Sequence, residues 1–475
     1  MDSNEFSRRE FLKRVLALSA AAALPTILTK NTLSAARPKP RIVGPNERVN
    51  LAVCGIGNRG GEILREFAKT GEANIVALCD VDMGAPHTEQ SLKQFPNVPR
   101  FQDFRQMFDK MGDQIDAVSV GVPDFSHFPI CMLAMSLGKH VYTARTFYEV
   151  ELMMKAAKKY KVVNQMGNQG HSEGNYFQFK AWKDAGIIKD VTAITAHMNA
   201  PRRWHGWDTN IKSFPPGQPG PQTLDWNTWL MTARFHDYNK DYVNGQWRCW
   251  YDFGMGALGD WGAHILDTAH QFLELGLPYE IDPVRIDGHN DFFFPQASTL
   301  VFKFGARGNM PPVDVTWYEG QKNIPPVPEG YGVSELDPNI PAPSTGQIQP
   351  AKLNPGKIIY SKELTFKGGS HGSLLSIIPE EKAREMASQL PEVPLSSSNH
   401  YKNFLLACKG QEQARSPFDV AGPLCQVFNL GVLAQRLNAK LLFDPKKKVI
   451  TNNERANKLL KDLPPREGWE EFYKL

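Results

Sequence analysis

Long apolar runs are missing from this chain of 475 residues. No stretch of 18 or more apolar residues occurs, which excludes a bundle of membrane-spanning helices. Cysteine is scarce. The six residues are Cys54, Cys79, Cys131, Cys249, Cys408 and Cys425, and none forms a CxxC or CxxH pair. The spacing that announces structural zinc is therefore absent, and no metal is expected. Free cysteine packs as a small apolar residue, so thiols are expected, with Cys54–Cys79 the one conceivable bridge. An excess of one charge is also lacking: 54 Lys and Arg stand against 50 Asp and Glu. Without a basic stripe, no nucleic-acid partner is expected. Glycine and proline lie near ordinary globular usage, so collagen-like and low-complexity classes fall away. No internal repeat is present. What remains has the length for two or three domains with a large core.

The first segment reads as an address. Ser7-Arg8-Arg9-Glu10-Phe11-Leu12-Lys13-Arg14 precedes the apolar run Val15 to Leu28. That is a basic region followed by an apolar region too short to span a membrane comfortably. The pattern matches a twin-arginine export signal. Residues 1–36 are expected to be removed. The twin-arginine translocase is then a transient partner, and the working protein is periplasmic or otherwise extracytoplasmic.

From Val49 onward, short β-branched and apolar runs alternate with helical periods. Strands are predicted at Val49 to Cys54, Ala73 to Cys79, Ile115 to Val122, His140 to Tyr142 and Val162 to Met166. Helices are predicted at Glu62 to Thr70, Phe104 to Met111, Phe128 to Leu137 and Glu149 to Lys159. This alternation demands crossover connections and a parallel sheet covered on both faces. After about residue 170 the rhythm changes. A helix at Phe177 to Ala185 and a strand at Val191 to Met198 lead into a stretch rich in Pro, Gly and Trp. A single helix from about Asp260 to Leu275 follows, then strands joined by turns from Val284 to Trp317. Helices are predicted again at Ser398 to Cys408 and Pro423 to Leu437.

Val53-Cys54-Gly55-Ile56-Gly57-Asn58-Arg59-Gly60 follows the first strand and opens a helix. Gly55 permits a tight turn. Gly57 lets the backbone approach a pyrophosphate, and Gly60 lets helix and strand pack closely. The helix N-terminus offers free N–H groups to an anion. Asp80 ends the second strand, where a carboxylate accepts ribose hydroxyls and repels a 2′-phosphate. NAD is therefore the expected cofactor and NADP the less expected one, with Arg59 as a cation that blunts the preference. The third strand ends in Val122-Pro123, followed by His127, at the sheet edge where doubly wound folds bind ligands. Further on, a glycine-rich run leads into Asp260 and His264. Their i,i+4 spacing puts a carboxylate beside an imidazole on one helical face, an arrangement suited to acid/base work. Asp267, i+3 from His264, is an alternative partner, and a helix N-cap is the plain structural role for Asp260.

Together these pieces resemble the Gfo/Idh/MocA oxidoreductase family. The matching residues are Gly55 to Gly60, Asp80, Val122-Pro123 with His127, Gly138-Lys139-His140-Val141, the run Asn164 to His171, and the approach to Asp260 and His264. The resemblance covers roughly residues 47–470. It implies an NAD-binding Rossmann domain over 47–170, a doubly wound parallel sheet. It further implies an α+β substrate and oligomerisation domain over 171–475 with a large open antiparallel sheet, whose C-terminal helices pack back on the first domain. It implies a sugar or polyol substrate, homo-oligomers, His264 as general base and Asp260 as its neighbour. One departure stands out. Where the family has Glu-Lys-Pro, this chain has Ala144-Arg145-Thr146. Arg145 keeps the positive charge and the N–H donors but cannot act as a proton carrier, since guanidinium stays charged. A glycosidase branch resembling the family also lacks the lysine. It keeps NAD bound, oxidises the sugar transiently at C3 and eliminates the aglycone.

Seven of the ten tryptophans fall between Trp204 and Trp261. Such rings stack on the apolar face of a pyranose, or else simply anchor a long loop. Trp204, Trp207, Asn168, His171 and Asp267 are the expected substrate contacts. The expected chemistry is hydride transfer between a nicotinamide and a sugar or polyol hydroxyl, with His264, Asp260 and Arg145 as catalytic residues. NAD-dependent glycoside cleavage and a non-catalytic sugar- or cofactor-binding role are the alternatives.

Overall fold

The computed structural model describes residues 41–143, 147–198, 207–320, 323–332, 353–461 and 464–475. The expected export segment and Ala144-Arg145-Thr146 lie outside the described residues, as does Trp204. Six strands make the first sheet: β1 (Val49–Cys54), β2 (Ala73–Cys79), β3 (Arg100–Phe101), β4 (Ala117–Val120), β5 (His140–Tyr142) and β6 (Asn164–Gln165). Their order is β3-β2-β1-β4-β5-β6, and every pair is parallel. The order reverses between β1 and β4, which opens a crevice at their carboxyl ends. Cys54 and Cys79 are register partners there, and both are buried free thiols.

Helices α1 (Asn58–Lys69), α2 (Phe104–Met111), α3 (His127–Ser136) and α4 (Phe147–Tyr160) cover the two faces. The first begins four residues before the expected Glu62, because the glycine turn itself forms its first turn. α3 is buried almost all round, from Phe128 to Met135, as its unbroken apolar sequence requires.

The second sheet has nine strands. They are β7 (Val191–Met198), β8 (Glu280–Asp287), β9 (Ala297–Phe304), β10 (Val313–Glu319), β11 (Gly356–Ser361), β12 (Thr365–Gly368), β13 (Ser376–Ile378), β14 (Leu441–Asp444) and β15 (Val449–Ile450). The order is β13-β12-β11-β7-β10-β9-β8-β14-β15. The expected antiparallel sheet is in fact mixed, because β7 runs parallel to β10 while the other pairs are antiparallel. The chain leaves β7 for a long insert, re-enters the sheet at β8 and works back through β9, so that β10 lies beside β7 and runs parallel to it.

One face of this sheet carries the main core. Ile194, Leu300, Phe302, Trp317 and Phe366 pack against Trp261, Ile265 and Phe428. Those last residues belong to α6 (Gly256–Ile265) and α9 (Phe418–Leu437), which α5 (Gly174–Asp184) and α7 (Asp267–Phe272) flank. The single helix expected from Asp260 to Leu275 is two helices, broken at Leu266. Helix α9 starts at Phe418 and holds the expected start, Pro423, inside it.

The C-terminal part of the chain returns to the first sheet. From α8 (His400–Cys408), Tyr401, Phe404, Leu405 and Cys408 share a core with Val49, Leu51 and Phe67. Phe418, Trp469 and Phe472 share another with Phe104 and Phe128. The tryptophan-rich insert has a core of its own, built from Trp229, Leu230, Tyr242, Trp247, Trp250 and Phe253 around Phe125. It is tied over the end of β2: the Asp225 N–H donates to Val81 O at 2.9 Å and Gln102 Nε2 donates to Thr223 O at 2.8 Å.

Candidate functional site

A cleft of about 1340 Å³ runs from the carboxyl ends of the first sheet to the insert and α6. It exceeds the ~300–1,000 Å³ of a pocket for one drug-sized ligand. At one end lies the glycine turn. Gly55 has φ +82°, and a Cβ there would sit 2.4 Å from Gly121 O. A Cβ on Gly60 would sit 2.2 Å from Gly55 O. Both obstacles are backbone atoms, so neither position accepts a side chain without moving the turn. At Gly57 the obstacle is different, since a Cβ would meet the His87 ring at 2.0 Å. α1 then starts at Asn58, and the cap residue supplies no side-chain hydrogen bond. Its first N–H groups and the positive end of its dipole face the cleft, as an anion site requires.

Asp80 stands beside that turn. Its carboxylate accepts from Ile56 N at 3.0 Å and from Asp82 N at 3.1 Å. Burial pushes its pKa above the usual carboxylate range, against the pull of those two N–H groups. Each oxygen has one protein donor and further lone pairs for ribose hydroxyls. Arg59 spends its charge on Glu62 at 2.8 Å and lies 3.5 Å from the Tyr401 hydroxyl. Val122 and Pro123 line the cleft, and His127 Nε2 lies 2.8 Å from Val122 O, tying that loop to the head of α3. The turn, the uncapped helix start and the carboxylate fit a dinucleotide.

At the other end stand His264 and Asp260, both lining the cleft. The expected pairing between them is not what the structure has. Asp260 Oδ1 accepts from Arg248 Nε at 3.3 Å. His264 Nδ1 is buried with no partner among the described residues. The His264 ring instead lies flat on His371, with ring centres 4.2 Å apart and planes 12° from parallel. Burial, then the neighbouring His371, pushes His264 down to about 3, so it stands neutral.

Asp267 turns away from His264 because the helix breaks at Leu266. It is buried and accepts from His171 Nδ1 at 2.9 Å and Asn168 Nδ2 at 3.3 Å. Burial pushes its pKa up, but the His171 hydrogen bond and charge, with Lys357 and the Thr268 N–H, outweigh it and hold the carboxyl below its usual range. His171 is only 1% exposed and sits behind the cleft rather than at its mouth. Asn168 lines the cleft. Behind it, Lys357 of β11 is a buried ammonium that burial pushes down to about 8 against the pull of Asp267.

Trp207 does not line the cleft. It packs on Trp250 at 4.7 Å and Phe293 at 5.4 Å, an anchor of the insert. Trp229, Trp247 and Trp261 line the cleft instead. Sequence reasoning also missed Arg248, Lys357, His371 and Tyr401. Only His371 carried a local cue, a histidine set among glycines in Gly368-Gly369-Ser370-His371-Gly372.

Comparison with known proteins agrees with this layout. The pattern of the Gfo/Idh/MocA oxidoreductase family's NAD-binding Rossmann fold matches residues 49–168. That of the family's C-terminal alpha/beta domain matches residues 185–294 and 361–471. Glycosyl hydrolase family 109 protein 2 of Shewanella sp. (strain ANA-3) is 26% identical over 151 residues, 29% of this chain and 33% of that protein. The alpha-N-acetylgalactosaminidase of Shewanella oneidensis is 26% identical over 172 residues, 33% of this chain and 36% of that protein. The matches thus span about a third of these relatives. Among solved structures, the WlbA dehydrogenase of Bordetella pertussis, in complex with NADH and UDP-GlcNAcA, superposes with a TM-score of 0.52 at 12% identity. That alignment covers 84% of this chain and 99% of the other. An NAD-binding protein of Listeria innocua gives 0.52 at 12% identity, covering 83% and 96%. At such identities the likeness is one of fold.

Proposed function

Because the chain belongs to the Gfo/Idh/MocA oxidoreductase family through both its NAD-binding and its C-terminal domain, we propose that it moves a hydride between a nicotinamide and a hydroxyl-bearing carbon of a sugar or polyol. One observation carries the reading: a single cleft joins a glycine turn closed to side chains with a pair of stacked imidazoles. When bound, NAD supplies the hydride acceptor or donor. The protein's part is to hold, orient and handle the proton. Gly55 to Gly60 and the start of α1 bind the pyrophosphate, and Asp80 takes the ribose and favours NAD over NADP. Val122, Pro123 and His127 support the nicotinamide half.

His264, kept neutral by burial, faces the reacting hydroxyl. Arg248 and Asp260 offer a donor and an acceptor to neighbouring hydroxyls, and Asn168 lines the same wall. Arg145 contributes a fixed charge where the family has lysine. A sugar is supported by Trp229, Trp247 and Trp261 on the cleft wall and by the sugar nucleotide held by the WlbA dehydrogenase. The Arg8-Arg9 pattern supports work outside the cytoplasmic membrane after twin-arginine export, and the family's habit supports a homo-oligomer. The test is a broad panel of sugars and polyols offered with NAD while nicotinamide absorbance is followed. Reduction by a subset is expected, and no reduction by any member would sink the proposal.

A second reading is favoured by the curated relatives, which are named as glycosyl hydrolases of family 109. In that case hydride is lent and returned, and a glycosidic bond is broken between the two steps. Aryl glycosides would then release their aglycone with no net change in nicotinamide absorbance.

A further inference from the structure

His371 lies in the turn between β12 and β13, far in sequence from every residue assigned above. Its φ is +52°, a left-handed backbone that a non-glycine residue adopts only at a cost. Glycines stand nearby in the same turn, so a histidine at this place is not required by the turn. Neighbours among the described residues hold it there. The His371 N–H donates to His264 O at 2.6 Å. Ser370 Oγ lies 2.8 Å from His371 Nδ1. Gly170 comes so close that a Cβ on it would lie 2.5 Å from the His371 carbonyl carbon. The outcome is a ring laid flat on His264, with the Trp261 ring edge-on at 5.4 Å and 85°. Both imidazoles line the cleft.

We propose that His371 is a second catalytic imidazole, and that His264 and His371 together hold at most one proton at the substrate hydroxyl. The rings meet face to face, so no hydrogen bond joins them. The coupling is electrostatic: two imidazolium ions at this separation repel strongly in a water-poor site, and protonating one forbids the other. A phenyl ring would pack as well without that coupling. The surrounding charges set which ring takes the proton. Arg59 and His400 act against a charge on His264, and Asp267 acts for it. Glu173, whose carboxylate accepts the Gly372 N–H, borders the turn that carries His371. Asp260 of α6 pairs with Arg248, which reaches it from the turn before the helix, at 3.3 Å.

His371 is therefore the proton acceptor, and His264 the neutral partner. On oxidation the substrate O–H bond breaks and its proton goes to His371. The carbon-bound hydrogen leaves with its electron pair to the nicotinamide, and a carbonyl remains. On reduction His371 returns the proton to oxygen. This rests on the redox reading above.

The test uses the full chain with isotope-labelled histidine, as wild type, H371Q and H371F. Ring NMR titration is expected to find His264 neutral in the wild type. In H371Q it should take up its proton at a pH higher by about one unit or more. H371F keeps the stacked ring and is expected to stay folded while kcat falls roughly 100-fold or more. The acidic limb of the kcat/KM profile is expected to disappear with it. An unchanged His264 titration in H371Q, or wild-type turnover and pH profile in H371F, would overturn the proposal. The titration needs no substrate. It therefore decides the coupling even if no sugar is oxidised, which keeps the two proposals separable.

Discussion

Lys357 offers a prediction whose size follows from its surroundings. Its ammonium is buried, with 1% of the residue exposed, and burial pushes its proton affinity from 10.5 down to about 8. That gap of 2.5 pH units corresponds to about 3 kcal/mol, at 1.36 kcal/mol per unit. The unfolded chain holds this proton up to about pH 10.5, while the folded protein releases it near pH 8. Between those values unfolding takes up a proton, so stability rises with pH at about 1.4 kcal/mol per unit. Below the folded value the cost of the buried charge is fully present. Above the unfolded value it is gone. The perturbation is Lys357→Met, which removes the titration and keeps the volume. The assay is urea denaturation across alkaline pH, followed by tryptophan fluorescence, since Trp317 lies in the same sheet. Other lysines and the tyrosines titrate in both proteins and cancel in the difference. Wild type is expected to gain about 3 kcal/mol on the variant across the window. Parallel profiles would refute the reasoning, because they would mean that water reaches the ammonium.

Gly60→Ala drives a methyl group into the Gly55 carbonyl, a backbone atom that cannot rotate away. Overpacking of that kind costs about 1–3 kcal/mol, so NAD affinity by calorimetry should fall roughly 10-fold or more, and unchanged affinity would contradict the close approach. Asp267→Ala removes the acceptor of His171 and Asn168 and leaves Lys357 without its counter-charge. Breaking a buried pair costs about 3–5 kcal/mol, and thermal unfolding that stays at the wild-type temperature would show that the cluster is not stabilising.

The first domain was legible because its information is local. Strand, turn, helix and acid follow one another within about thirty residues, and each requirement is set by near neighbours. The mixed sheet was not legible, since pairing β7 with β10 depends on what the chain does between them. The expected contacts of His264 with Asp260 and Asp267 are not made, for a clear reason. Neighbour spacing of i+3 and i+4 assumes one continuous helix. The break at Leu266 swings Asp267 onto His171, and Arg248 captures Asp260 from a turn outside the helix. Tryptophan crowding pointed to a stacking surface, but an insert so far from either main core needs anchors of its own. Trp207 and Trp250 serve that need, while Trp229, Trp247 and Trp261 reach the cleft. His371 meets His264 only in space, and nothing in its own segment names that partner.

The return of the C-terminal residues to the first sheet has a consequence in time. A ribosome completes β1 through β6 long before it makes Phe404 and Phe472. Until then Phe67 lacks the ring that meets it at 6.0 Å, and Phe104 lacks its neighbour at 6.0 Å. The nascent Rossmann half must wait with apolar surface open to water. The domain that is made first is the one that closes last.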